Sequence, residues 1–394
     1  MFFYKFTYKN KHFYQTLLYY IHFFVLIIKP LLIVNCYFCL QNINYYLKII
    51  ILNTISSSFT KNAKAEIDKA QNIVILSHKN PDGDALGSGL AFYNLFANFN
   101  KKATFIVPNQ LPVYLKWMDG FNDIIVFENN KSKGQEIIKS ADLIIMIDFN
   151  HRSRLSQVAD SVLPHKCPKI LIDHHPDPEN IADLIYSRIS SSSTAEMVYE
   201  FIEAAFGKDA VSKTIAECLF TGIVTDTGTF SYNSSNQITF KIVGELLSFG
   251  IDKDYIIDKI YNNYSEYRLR LLGHAINSKM KVLHEYGTAY IYLSQKDMDS
   301  YNFEQGDTEG FVNFPLSIKG IVFSAIFIEK DNYTKCSFRS KGDFPANLVA
   351  KEHFSGGGHK NAAGGEYKAS LKKTIEQFES ILPEYKKYLT VKSL

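Results

Sequence analysis

Residues 73–88 set four apolar side chains, Ile73 to Leu76, almost directly before His78, Asp82 and Asp84 in a Pro-Asp-Gly turn. A run of this kind reads as a buried strand whose carboxyl end delivers an imidazole and two carboxylates into a tight turn. Two readings of that turn are open: Asp84 caps a helix starting at Ala85, or the three side chains hold a ligand. The following segments separate them. Residues 143–147 form a second apolar run that ends in Asp148, and 170–172 a third that ends in Asp173, His174 and His175. Residues 104–107 read as a further strand, and 85–98 as a helix with Leu86, Leu90, Tyr93 and Ala97 on one face. Strands alternating with helices imply a parallel sheet, which binds ligands beyond the carboxyl ends of its strands. Three such ends therefore bring acids and histidines to one edge.

Further along, a helix over 194–206 follows the serine run 190–193, and residues 216–225 lead into Asp226 before a Thr-Gly turn. Residues 241–278 are charged and helical. Beyond Lys281 the pattern predicts strands at 289–293, 321–328 and 333–340 and a helix over 347–354. The next segment holds Gly356, Gly357, Gly358, His359 and Lys360. Three glycines let backbone N–H groups turn toward an anion, with His359 and Lys360 as added donors. Arg339 and Ser340, at the end of a strand, reach the same anion. A closing amphipathic helix over 371–382 carries Leu371, Ile375, Phe378 and Leu382 on one face, with Pro383 as its stop. The expected fold is α/β: a parallel-sheet domain over 61–250, a helical connector over 251–280, and a smaller mixed α/β domain over 281–390, with the active-site cleft between them.

The 394 residues, 46% hydrophobic and 21% charged, suffice for two cores. The net charge of +3 is uneven, because the first 60 residues hold five lysines and no acid. The remainder carries 38 basic and 40 acidic residues, which excludes a broad footprint for duplex DNA. Five scattered cysteines fit a reducing, cytoplasmic setting without disulfides. Cys36 and Cys39 have C-x-x-C spacing but no second pair, so neither zinc nor redox chemistry is expected there. Residues 1–58 read as an apolar extension outside the functional fold. Within it, 17–40 is apolar enough for a membrane span, although Lys29, Pro30 and Asn35 interrupt it, so membrane association is the alternative location.

His78, Asp82, Asp84, Asp148, His174 and Asp226 make a set of hard oxygen and imidazole ligands without a thiolate, suited to Mn²⁺ or Mg²⁺ rather than structural zinc. Six ligands exceed what one ion with open positions needs. Two ions about 4 Å apart, sharing a carboxylate, use them economically and favour phosphoester hydrolysis.

In this order, His78-x-x-x-Asp82-x-Asp84, Asp148, Asp173-His174-His175, Asp226 and the late Gly356-Gly357-Gly358-His359 resemble the DHH phosphoesterase family with its associated C-terminal domain. The likeness spans residues 61–390 and points to the branch of bifunctional oligoribonucleases and 3′-phosphoadenosine 5′-phosphate phosphatases, the nanoRNases. It implies two divalent ions, Mn²⁺ before Mg²⁺ or Co²⁺. The substrates implied are short single-stranded oligoribonucleotides, cut to mononucleotides, and the nucleotide bisphosphate, cut to AMP. His78 and Asp82 would hold one ion, Asp84, His174 and Asp226 the other, and Asp148 would bridge them. Asp173 and His175 would support from behind or from the substrate side. His359 would donate to the scissile phosphate, and Arg339, Ser340 and Gly356 to Gly358 would bind the nucleotide. A homodimer is compatible with this reading. One alternative is a membrane-anchored cyclic-dinucleotide phosphodiesterase of the same family. Another, a non-catalytic nucleotide-binding regulator, would need a broken ligand set, and none is visible.

Overall fold

A computed structural model describes Tyr19, residues 55–304 and residues 306–388. Six strands, β1 Asn72–Leu76, β2 Lys102–Val107, β3 Ile125–Val126, β4 Leu143–Ile147, β5 Lys169–Asp173 and β6 Leu184–Ser187, form one sheet in the order β3-β2-β1-β4-β5-β6. Every pairing in it is parallel. The central strands β4 and β5 are buried throughout, as expected of a parallel sheet covered on both faces. Strand order reverses between β1 and β4, so the loops leaving their carboxyl ends diverge and open a crevice. His78 leaves β1 at that crevice, Asp148 leaves β4, and β5 ends at Asp173.

The helix after β1 is Gly83–Asn98, and its N-cap is Asp82, whose Oδ1 accepts the Asp84 and Ala85 amides, each at 3.1 Å. The cap expected at Asp84 is therefore held by Asp82, two residues earlier. This helix crosses the Lys213–Asp226 helix closely enough that a Cβ on Gly87 would lie 2.4 Å from the Cys218 carbonyl. A Cβ on Gly222 would lie 2.6 Å from the Ala195 methyl and 2.9 Å from Asp84 Oδ1. Two glycines thus bring Asp84 and Asp226 to the same edge.

Helices Lys253–Tyr261 and Glu266–Ser278 lead to a second sheet, β11-β12-β10-β9-β8-β7. Its strands are β7 Met280–Leu283, β8 Thr288–Leu293, β9 Phe323–Glu329, β10 Thr334–Ser340, β11 Gly357–His359 and β12 Ala362–Tyr367. Only the β8–β9 pairing is parallel. Tyr290, Phe323, Phe327 and Phe338 pack with Phe378 of the Leu371–Tyr385 helix. That helix runs through Pro383 instead of stopping before it, because burial of Leu382 and Tyr385 in this core holds the last turn despite the missing N–H. Both sheets belong to one unit that begins at Ser57. Among the described residues no helix is long and apolar enough to cross a membrane. The 17–40 run, apart from Tyr19, and Cys36 and Cys39 lie outside the described residues.

Candidate active site

His78 is buried, and its Nδ1–H donates to the Lys79 carbonyl at 2.8 Å. Its Nε2 therefore carries the lone pair, and that buried nitrogen has no hydrogen-bond partner. Nε2 lies 3.3 Å from Asp148 Oδ2 and 3.9 Å from Asp82 Oδ1. Asp82 keeps 49% of its side chain exposed, so a carboxylate committed to a helix cap is still open to solvent.

A second group forms on the other side of Asp148. His174 donates from Nδ1 to the Ser191 carbonyl at 3.4 Å. Its Nε2 lies 3.7 Å from Asp148 Oδ1, 3.7 Å from Asp226 Oδ2 and 3.9 Å from Asp84 Oδ2. Asp148 thus faces His78 with one oxygen and His174 with the other. Its backbone sits at φ +63°, a conformation costly for a residue with a Cβ and one that recurs at functional sites. Ligand atoms of His78, Asp82 and Asp148 fall within 4.8 Å of one another, as do those of Asp84, His174 and Asp226.

His175 borders both groups, its Nδ1 lying 3.8 Å from Asp148 Oδ1 and its ring centroid 4.8 Å from that of His174. Its Nδ1–H donates to Asp173 Oδ1 at 2.7 Å, and its Nε2 accepts from Arg154 Nη2 at 3.4 Å. Both ring nitrogens are thereby engaged, which suits orientation of a neighbour better than ligation. His359 arrives from the second sheet: its ring centroid lies 4.7 Å from that of His175 and 4.8 Å from that of His174. Its Nε2 is buried and unpartnered.

The remaining expected residues are arranged differently. Gly357 and Gly358 do not form an open anion loop. With His359 they make β11, paired to β12. A Cβ on Gly356 would sit 2.0 Å from the Gly364 carbonyl, and Gly358, at φ +134°, would press on Ala362 and Ala363. These glycines allow close backbone approach that seats His359. Arg339, on β10, donates to the Phe338 carbonyl at 2.9 Å, and its charge acts on Asp226. Ser340 is buried, donating to the Phe344 carbonyl at 2.7 Å and accepting from Asn361 at 2.8 Å, so its hydroxyl secures the neighbouring loop.

The site's electrostatics call for a cation. Enclosure by protein, then the neighbouring acids, push the Asp84, Asp148 and Asp226 carboxyls well above the usual range. Burial lowers His78 to about 4, with the Arg154 charge adding to it. Burial likewise lowers His174, His175 and His359. Asp82 alone is lowered: enclosure opposes its ionisation, but His78 and the Ala85 amide outweigh it. Acids that resist charging around imidazoles that resist protonation, with an orphaned Nε2 on His78, fit a divalent ion and hold no thiolate.

Two contributors escaped the sequence. Thr194 donates its hydroxyl to Asp148 Oδ1 at 2.8 Å and its amide to Asp84 Oδ2 at 2.6 Å, and Ala195 N–H reaches Asp84 Oδ1 at 2.8 Å. The signal was the Ser193-x-x-Glu196 start of this helix, where Ser193 caps the Glu196 amide at 3.1 Å. Arg154 follows Asp148 by six residues in the basic stretch 151–154.

Residues 72–223 match the DHH family, N-terminal domain, and residues 285–390 the DHHA1 domain. The chain is 30% identical over 306 residues to a probable bifunctional oligoribonuclease and PAP phosphatase, NrnA, of Streptococcus mutans, a match covering 77% of this chain and 92% of the relative. The chain belongs to the DHH family of phosphoesterases. This DHH phosphoesterase is also similar to the crystal structure of an exopolyphosphatase-related protein from Bacteroides fragilis, with a TM-score of 0.82 and 41% identity, covering 86% of this chain and 99% of that one. The phosphoesterase shares its fold with RecJ of Thermus thermophilus, crystallised in complex with Mn²⁺, at a TM-score of 0.52 and 12% identity, covering 86% of this chain and 56% of RecJ.

Proposed function

We propose that this phosphoesterase holds two divalent ions, Mn²⁺ by preference, and hydrolyses very short oligoribonucleotides to mononucleotides and 3′-phosphoadenosine 5′-phosphate to AMP. The carrying observation is the position of Asp148, with one oxygen toward His78 and the other toward His174. His78 and Asp82 would hold one ion and Asp84, His174 and Asp226 the other. Bound there, the pair supplies an acidified water and polarises the phosphoryl oxygen. The chain's own groups do the rest. Asp173 fixes the ring of His175, and His175 and His359 close the reacting edge against bulk water. His359, neutral near pH 7, offers its one N–H to a phosphoryl oxygen. Arg339 supplies positive charge for the nucleotide, and the balanced body charge suits small substrates over duplexes. In this reading 61–250 is the catalytic part, 251–280 the connector and 281–390 the substrate-binding part. The alternative of a cyclic-dinucleotide phosphodiesterase anchored in a membrane is suggested by the 17–40 run.

The test presents the purified full chain, loaded with Mn²⁺, Mg²⁺ or Co²⁺, with a dinucleotide, phosphoadenosine phosphate and a cyclic dinucleotide side by side. Turnover of the first two, fastest with Mn²⁺, is expected. Preferential cleavage of the cyclic compound would transfer the reading to the alternative, and no turnover of any would end it.

A further inference from the structure

Two arginines near the site have acid partners. Arg152 pairs with Glu179 at 2.5 Å, and Arg188 with Glu200 at 2.6 Å. Arg154 makes no ion pair among the described residues, although its charge acts on Asp82, Asp148 and Asp226. Its Nε is buried with no hydrogen-bond partner, and one Nη2 hydrogen bond to His175 at 3.4 Å is the side chain's contact with a neighbour. Its backbone is tied down, because the Arg154 carbonyl accepts the Lys79 amide at 2.7 Å and so joins the turn after β1 to the turn after β4. The charge acts on groups from both sheets, Asp82, Asp148, Asp226 and His359 among them. A half-buried guanidinium with donors to spare, fixed in place and aimed among the reacting groups, lacks only an anion.

We propose that Arg154 grips the phosphoryl group under attack, donating two N–H bonds to its non-bridging oxygens. This rests on the phosphoesterase reading and deepens it. A planar fork of donors matches two phosphoryl oxygens, which an ammonium does not. Negative charge on those oxygens grows as a nucleophile adds, so a fixed guanidinium binds the transition state more tightly than the ground state. The same phosphoryl group reacts in a diester and in a 3′-monophosphate, so Arg154 serves both substrates alike. Arg339, from the second sheet, is then free for the remainder of the nucleotide.

The experiment compares wild type with Arg154→Ala and Arg154→Lys, all as full chains with Mn²⁺. For Arg154→Ala, kcat/KM is expected to fall by about 100-fold or more, and equally for a dinucleotide and phosphoadenosine phosphate. Mn²⁺ stoichiometry and thermal midpoint should stay at wild-type values, and AMP binding, read by calorimetry, should weaken about tenfold. Arg154→Lys should recover little, and guanidinium ion added to Arg154→Ala should restore part of the rate. Wild-type kcat/KM within about threefold in Arg154→Ala overturns the proposal. So does loss of Mn²⁺ together with activity, or disappearance of the effect in a His175→Ala background, which would assign Arg154 to holding that ring. If wild type turns over neither substrate, the functional reading fails, and the AMP titration still decides whether Arg154 binds phosphate.

Discussion

Thr194 donates its hydroxyl to Asp148 at 2.8 Å from the first residue of a helix whose leading amides are bound by Asp84. One residue thereby orients two carboxylates from different strand ends, 46 and 110 positions away. Behind it, Glu196 accepts from Ser192 Oγ at 2.7 Å and Thr239 Oγ1 at 2.6 Å, which holds the serine run rigid. Removing the hydroxyl leaves Asp148 free to turn away from one of its two groups. Thr194→Val is expected to lower Mn²⁺ affinity or kcat about 10- to 100-fold, with Thr194→Ser close to wild type. Mn²⁺ calorimetry beside steady-state kinetics measures both, and a fully active valine variant would remove Thr194 from the account.

Metal removal should show a defined pH dependence. The Asp84, Asp148 and Asp226 carboxyls titrate above their unfolded values because of enclosure and mutual repulsion. A raised folded pKa stabilises the fold fully below the unfolded value, near 4, and that contribution is lost as pH rises through the folded value. The metal-free protein is therefore expected to lose thermal stability from this cluster as pH climbs from the carboxylate range toward neutrality. Mn²⁺ replaces the departing protons, so its stabilisation should grow over the same interval. His78, at about 4, is already neutral in the fold and releases no proton to the metal. Its lowering and that of His174, His175 and His359 act on the metal-free fold in the opposite sense, so the carboxyl contribution is read from the difference between wild type and Asp148→Asn. Melting curves with chelator and with Mn²⁺, at about pH 5 and about pH 8, test this, with Asp148→Asn expected to flatten the slope. A larger Mn²⁺ effect at the acid end would refute it.

Much of this site was legible because each metal-facing side chain follows a buried apolar run or a helix end, and such runs have fixed places in a parallel sheet. His78, Asp148 and His174 could be put on one edge from strand ends alone. Less legible was which helix a carboxylate serves. The turn at Asp82 to Asp84 reads as one local cap, yet Asp82 caps its own helix while Asp84 reaches the helix at Thr194. That contact depends on the crossing at Gly87 and Gly222, which no local pattern encodes. The short strands β3, β6, β11 and β12 also lacked a signal. β12 reads Ala-Ala-Gly-Gly-Glu-Tyr and owes its conformation to pairing with β10.

Asp297 gives a stability test remote from the catalytic cluster. Its carboxylate closes a capping box with Ser294, accepting that amide at 2.9 Å, and meets His274 Nε2 and Lys279 Nζ, each at 2.9 Å. Burial opposes ionisation, but these donors outweigh it and hold the group well below the usual carboxylate range. A depressed pKa stabilises above the unfolded value, near 4, and the benefit fades as pH falls below it. Asp297→Ala is expected to cost about 2 kcal/mol at neutral pH, from the lost cap and charged hydrogen bonds. The deficit should shrink below about pH 4. Urea titrations at both pH values measure it, and a deficit that grows in acid would reverse the sign argued here.

Neighbouring glycines before His359 should respond oppositely to the same small change. A methyl on Gly356 meets the Gly364 carbonyl at 2.0 Å and the Gly365 Cα at 2.6 Å, and backbone atoms cannot rotate away as a side chain does. β11 must then part from β12, and His359, held by that pairing, moves with it. Gly357 meets nothing within 4 Å and has no left-handed backbone requirement, so a methyl there is accommodated. Gly356→Ala is expected to lower kcat/KM about tenfold or more through displacement of His359, with Mn²⁺ stoichiometry unchanged because His78, Asp82, Asp84, Asp148, His174 and Asp226 all lie outside β11. Gly357→Ala should stay within about twofold of wild type, since one open-space methyl adds no strain. If the glycines instead served as backbone donors to substrate phosphate, the Gly357 variant would also lose activity, and equal losses at both positions would favour that anion loop over a hairpin that seats His359.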